Sequence, residues 1–297
     1  MGMNATTDDN GSVRAILVGI DGSPAALTAV RWAAREAVRR RARIRMVNAF
    51  GWMPVHDADD PLQVVPKRRD ALRRAAEESL AVAVAQVAEV APDVEVSQEV
   101  MTGMPAALLV ALSAEAQLAV VGQRGLGGFA GLLLGSVGAA VAAHAACPVL
   151  VVRGATDLPQ DGPVVVGVDG SPQSDAAVAF VVEAAAARGV SLRAVHAWLD
   201  TVVPVMVSKA VDWDIVAAQQ ANLLTNCLAG WRQKYPDLPI EPLLIEDRPA
   251  HALMDSIDDA QLVVVGSRGR GGLAGMTLGS VSQALLHHAG CPVAVVR

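Results

Sequence analysis

Glycine and serine recur at one spacing in two places: Gly122, Gly125, Gly135 and Ser136 in VGQRGLGGFAGLLLGS, and Gly266, Gly269, Gly279 and Ser280 in VGSRGRGGLAGMTLGS. Each stretch leaves an apolar run that reads as a strand and ends where a helix should begin. Glycine permits positive φ and lets backbone approach a ligand closely. A helix start offers unpaired N–H groups and the positive end of the dipole, here with a serine hydroxyl beside them. Such donors suit phosphate oxygens. The same glycines would also serve tight turns, and the same serines would cap helices.

Two carboxylates stand at a second repeated place. Asp21 in AILVGIDGSP and Asp169 in VVVGVDGSP each follow an apolar strand, near the carboxyl edge where ligands bind in open α/β sheets. Each could accept a hydrogen bond from a ribose or base, or could cap the next helix together with Ser23 or Ser171.

The elements that must position these groups follow from periodicity. In the first copy strands are expected at 14–20, 44–49, 94–100, 118–121 and 149–152, and helices at 25–40, 67–90, 105–113 and 137–145. Strands alternating with helices imply a mostly parallel sheet covered on both faces, with right-handed crossovers. CPVLVVR at 147–153 returns as CPVAVVR at 291–297, so the repeat spans the chain. Each copy holds about 145 residues, an ordinary domain size. The organisation expected is a first domain over 1–154, a Pro/Gly-bearing linker at 155–162, and a second domain over 163–297.

Composition limits the alternatives. Hydrophobic residues make up 53% of the chain and aromatic residues only 3%, so Val, Ala and Leu must build the core. A net charge of -6 disfavours a nucleic-acid surface. Arg31, Arg35, Arg39, Arg40 and Arg41 read as a solvated helix face. No apolar run is long and uninterrupted enough for a membrane span, and MGMNATTDDNGS lacks the basic and apolar regions of a leader, so a cytoplasmic protein is expected. Cys147 and Cys291 precede matching apolar runs and read as buried, reduced thiols. His56, Asp57, Asp59 and Asp60 crowd one irregular stretch without coordination spacing and read as a solvated or lid-like loop. His144 and His288, at matching helix ends, suit the negative end of the dipole.

The GIDGSP and GVDGSP openings, with Gly-x2-Gly-x9-Gly-Ser in both halves, closely resemble the ATP-binding class of universal stress proteins. The joint pattern differs from the Walker loop, which needs Gly-Lys-Ser/Thr, and from the Rossmann fingerprint. The resemblance implies two adenine nucleotide alpha hydrolase-like α/β domains, each an open five-stranded parallel sheet of order 3-2-1-4-5. It also implies one ATP per domain, alone or with Mg2+, pairing of domains through their last strands, and a homodimer. By position, Asp21 and Asp169 would lie by the adenosine and Val18 and Val166 near the base. Gly122, Gly125, Gly135 and Ser136, and their counterparts Gly266, Gly269, Gly279 and Ser280, would surround the phosphates. Gly103 in MTGMP would add a backbone contact after the third strand.

The second copy departs from this pattern at one place. Aligning Pro249 with Pro105 sets Asp247 where Gly103 stands, which brings a carboxylate toward a site expected to hold triphosphate, with Arg248 as its nearest compensation. Neither copy shows a Walker lysine or a histidine placed to activate water. The function expected is that of an ATP-binding stress-response or growth-regulatory module acting through ligand-dependent shape or partner binding, with a regulatory protein as one such partner. A slow ATPase or nucleotidyl-transfer enzyme, and a purely structural dimerising protein, are the alternatives.

Overall fold

The computed structural model describes residues 13–51, 64–126, 133–153, 161–198, 212–271 and 277–297. Residues 155–160 of the expected linker, and His56, Asp57, Asp59 and Asp60, lie outside them. The chain divides into two compact units, Met1–Arg153 and Gly154–Arg297.

In the N-terminal unit the order is β1 (Ala15–Ile20), α1 (Pro24–Arg40), β2 (Ile44–Phe50), α2 (Val64–Val90), β3 (Val96–Thr102), α3 (Pro105–Leu112), a 3-10 turn (Ser113–Glu115), β4 (Ala116–Gly122), α4 (Ser136–His144) and β5 (Val149–Val152). All pairs are parallel, in the order β3-β2-β1-β4-β5. The C-terminal unit repeats it with β6 (Val164–Gly167), α5 (Pro172–Arg188), β7 (Leu192–Ala197), α6 (Trp213–Lys234), β8 (Ile240–Ile245), α7 (Pro249–Asp255), β9 (Leu262–Gly266), α8 (Ser280–His288) and β10 (Val293–Val296). Its strands, also parallel, run β8-β7-β6-β9-β10. The order that the family resemblance implies is present in both units.

Helices on both faces explain why the central strands are continuous apolar runs rather than alternating ones. Ile16, Leu17 and Val18 of β1, and Val164, Val165 and Val166 of β6, are fully buried or nearly so. Cys147 and Cys291 are free and buried. Cys227 is half-buried, and its thiol is pushed above the ordinary range by burial first and by the nearby Asp175 carboxylate, which disfavours thiolate chemistry.

The chain starts its first helix in the same way twice. Ser23 caps α1 by accepting from Ala26 N–H at 3.2 Å, and Ser171 caps α5 by accepting from Ser174 N–H at 3.2 Å, each followed by proline at the first helical position. The helices end alike in a left-handed residue, Gly189 (φ 68) in α5 but Arg41 (φ 51) in α1, where a side chain costs about 1 kcal/mol.

Strand order reverses beside the first strand of each unit. β1 lies between β2 and β4, and β6 between β7 and β9, so the outgoing connections leave a crevice beyond the carboxyl ends of β1 and β4, and of β6 and β9. Among the described residues, no helix is long and apolar enough to cross a membrane.

Candidate functional site

A cavity of about 450 Å³ fills the crevice of the N-terminal unit, within the range of small-molecule sites. One end is apolar, lined by Val47 and Ala49 of β2 and by Pro105 and Leu109 of α3. The other end is the glycine loop after β4 and the start of α4, from Gly122 to Leu126 and from Leu134 to Gly138. Asp21 stands between them.

The loop is held by the turn that follows β1. One Asp21 oxygen accepts from Ser23 N–H at 3.0 Å, and the other accepts from Leu126 N–H at 2.9 Å. Ser23 Oγ donates to the Arg124 carbonyl at 3.2 Å. The carboxylate is thus a latch between the β1–α1 turn and the glycine loop. Neither of its expected roles describes this, because Ser23 alone caps α1. Asp21 still lines the cavity, and a carboxylate has more acceptor sites than these two bonds use.

The spacing of the glycines now has local reasons. A Cβ on Gly122 would lie 2.7 Å from the carbonyl carbon and oxygen of Ala25, so this glycine lets α1 approach the end of β4. A Cβ on Gly125 would lie 2.3 Å from the Asp21 carboxylate, so this glycine admits the latch. Gly135 donates to the Gln123 carbonyl at 2.9 Å, which closes the loop, and the Gln123 carboxamide donates to the Leu133 carbonyl.

The expectation that these glycines supply positive φ is corrected. Positive φ falls at Gly22 (85°), Gly103 (152°), Gly170 (74°) and Gly189 (68°), and none of the six loop glycines adopts it. Tertiary approach, rather than turn geometry, selects glycine at Gly122, Gly125, Gly266 and Gly269, whereas a Cβ on Gly135 or Gly279 would meet its first neighbour only at 3.4 Å, an ordinary contact.

The cap expectation for the serines is also corrected. Gly135 and Gly279 occupy the N-cap positions with extended backbone, Ser136 and Ser280 are the first helical residues, and neither helix has a side-chain cap. The amides of the first turn, from Ser136 to Gly138 and from Ser280 to Ser282, therefore face the cavities with the dipole behind them. His144 and His288 sit at the opposite ends of these helices, away from the cavities.

The C-terminal unit reproduces the latch and the loop in a cavity of about 470 Å³. Asp169 accepts from Ser171 N–H at 2.9 Å and from Arg270 N–H at 3.1 Å, and a Cβ on Gly269 would lie 2.4 Å from it. Gly266 makes the same close approach, its Cβ position being 2.9 Å from Gln173 backbone, and Gly279 donates to the Ser267 carbonyl at 2.8 Å. Asp169, Gly266, Gly269, Gly279 and Ser280 all line this cavity.

Three expected residues fall outside the cavity walls. Val18 and Val166 are fully buried in the sheet, and the next residues, Gly19 and Gly167, line the cavities instead. Gly103 donates its N–H to the Phe50 carbonyl at 3.0 Å and is not a lining residue, whereas Pro105, two positions on, is. Arg124, Arg268 and Arg270, lining the loops, were not singled out from the sequence, although Arg124 and Arg268 occupy the same place in VGQRG and VGSRG. They add positive charge where the amides already favour an anion.

Asp247 does not enter its cavity. Its carboxylate accepts from Arg248 N–H at 2.7 Å and meets His251 Nδ1 at 2.5 Å, so the expected repulsion is directed elsewhere, with His251 rather than the Arg248 side chain as the identified partner. Asp255 lies 3.4 Å from the same ring nitrogen. These three groups are close enough to share a metal ion, but an exposed ion-pair network accounts for them. The bond to Asp247, and then the charges of Asp247 and Asp255, hold the His251 imidazolium, so His251 titrates above its ordinary value of about 6.5. A raised folded pKa means that any stabilisation is complete below the unfolded value and fades as pH rises through the folded one. In proton-detected titration, Asp247→Gly should bring His251 back toward the ordinary value, and an unchanged midpoint would contradict the pairing.

The model of the universal stress protein family matches residues 12–153 and again residues 162–297. Universal stress protein Rv2623 of Mycobacterium tuberculosis is 40% identical over 290 residues, covering 95% of this chain and 96% of the relative. Universal stress protein Rv2005c of the same organism is 38% identical over 299 residues, with the same two coverages. The crystal structure of a universal stress protein from Archaeoglobus fulgidus superposes with a TM-score of 0.70 at 19% identity, covering 95% of this chain and 98% of the other, a likeness of fold.

Proposed function

The chain belongs to the universal stress protein family, and from that premise we propose that each unit binds one ATP and that occupancy, rather than turnover, is the output. The observation that carries this reading is the pairing, in both units, of an uncapped helix start with a glycine loop latched by an aspartate across one cavity. Phosphates would lie on the amides of the loop and of the first turn of α4 or α8, beside Ser136 or Ser280, with Arg124 or Arg268 adding charge. The base would lie at the other end, over β2 or β7.

Mg2+ fits this arrangement as a companion of the phosphates, since the carboxylates among the described lining residues, Asp21 and Asp169, are already engaged by two N–H groups each. Those residues include no lysine to bridge the phosphates, and their one histidine, His196, is held at both ring nitrogens by the Val168 carbonyl and Gln220, which favours binding without efficient hydrolysis. Ligand in the N-terminal cavity would bear on the loop residues from Gly122 to Leu126, and the exposed Leu126 side chain is what a regulatory partner or a second copy would sense. The setting proposed is a cytoplasmic stress or growth response.

Calorimetric titration of the ligand-free chain with ATP, with and without Mg2+, paired with a phosphate-release assay, tests this. Binding with negligible release is the expected result. Release at enzymatic rates would move the protein into the hydrolase class, and the absence of binding would remove the nucleotide reading.

A further inference from the structure

The two cavities share a phosphate end but differ at the other. At the fifth residue of the second strand the N-terminal unit has Asn48 and the C-terminal unit has His196, both buried. On the helix that follows, at the same distance before the Pro92-Asp93 and Pro236-Asp237 turns, the units have Ala76 and Gln220. In the C-terminal unit His196, Gln220 and Trp198 all line the cavity, whereas β2 lines the other cavity with Val47 and Ala49.

The His196 ring is fixed at both nitrogens. Nδ1 lies 2.6 Å from the Val168 carbonyl and Nε2 lies 2.9 Å from the Gln220 carboxamide. A carbonyl can only accept, so Nδ1 carries the proton, and in a neutral ring Nε2 is then an acceptor. The structure sets Gln220 Oε1 against Nε2, and in the neutral ring two acceptors would then face each other, so the carboxamide is assigned the exchanged orientation with its NH2 toward Nε2. Its oxygen is left for a ligand. Trp198 is half-buried and backed by Trp213, with ring centroids 5.9 Å apart, which gives the same end of the cavity an aromatic wall.

We infer that Gln220, oriented by His196, reads the base in the C-terminal unit by accepting from an exocyclic amine, and that the two units consequently differ in base selectivity. The inference rests on the nucleotide reading proposed above. A 6-amino purine satisfies the oxygen, while a 6-oxo purine sets oxygen against oxygen and leaves a buried acceptor unpaired. The N-terminal unit, with valine and alanine at that end, discriminates less.

The test is calorimetry on the full chain carrying Gly125→Val, which disables the N-terminal latch, with ATP, inosine triphosphate and inorganic tripolyphosphate as probes. ATP should bind about tenfold more tightly than inosine triphosphate. Gln220→Leu should erase that ratio without changing tripolyphosphate affinity, and Gln220→Glu, whose carboxylate keeps an acceptor for the base while His196 takes up a second proton to donate to it, should preserve the ratio. A purely structural role for Gln220 would move all three ligands together and would overturn the inference. So would equal binding of the two nucleotides, or a preference for the 6-oxo base, while the nucleotide reading stands. Failure of all three probes to bind would contradict that reading as well.

Discussion

Asp21→Asn should weaken ATP binding at the N-terminal unit by about 10- to 100-fold while the C-terminal unit binds as before. The wild-type carboxylate accepts from Ser23 N–H and Leu126 N–H at 3.0 and 2.9 Å. An asparagine of nearly the same shape keeps one acceptor oxygen, but its NH2 group must face one of those donors. Losing a bond to a charged group costs about 1.5–3 kcal/mol, and here that energy is what keeps the glycine loop closed. Opening the loop lowers the population competent to bind, and the apparent affinity falls by the same factor. Asp169→Asn should transfer the defect to the other unit, where Arg270 N–H takes the place of Leu126 N–H. Two-site calorimetry with circular dichroism as the fold control measures both. Unchanged affinity in either variant would mean that the latch does not organise the site.

Gly122→Ala should destabilise the N-terminal unit by about 1–3 kcal/mol, a large effect for one methyl group. The methyl would meet the Ala25 carbonyl at 2.7 Å, which is helix backbone and cannot rotate out of the way as a side-chain tip could. Either α1 lifts from β4 or the end of β4 bends, and both movements also displace the Asp21 turn at the start of α1. Urea unfolding of the full chain measures the loss, and hydrogen exchange of the β1 amides assigns it to this unit. By contrast, Gly189 has open space around its Cβ position. Gly189→Ala should cost only what its left-handed backbone imposes, about 1 kcal/mol. Equal stability of wild type and Gly122→Ala would show that α1 does not pack as closely as described.

Local patterns carried the fold a long way. Apolar runs bounded by glycine and proline located the strands of the first copy, and α1, expected at 25–40, runs from Pro24 to Arg40. The deviations have physical causes. β4 begins at Ala116 rather than at Leu118 because Gln117, polar by type, is buried with its amide donating to the Arg14 carbonyl, so hydrophobicity alone starts the strand late. β3 begins at Val96 rather than Val94 because Val94 N–H is taken by the Ala91 carbonyl in the preceding turn.

At the site, the repeated glycines and aspartates were visible, but their duties were not. Spacing cannot distinguish a glycine that adopts positive φ from one that a carboxylate or a helix backbone presses against, because the pressing group is about a hundred positions away, as Leu126 is from Asp21. The His196–Gln220 contact joins a strand to a helix across 24 positions and leaves no periodic signature. The direction of Asp247 depended on His251 one helical turn later, a neighbour that the alignment of the two copies drew no attention to.

The most direct test of nucleotide binding in both units is to denature freshly purified protein, identify the released ligand by mass spectrometry, and quantify it per chain. The account predicts adenine nucleotide at one molecule per unit, restored by titration wherever purification has stripped it. Protein that carries no nucleotide and takes up none on titration with ATP would contradict it.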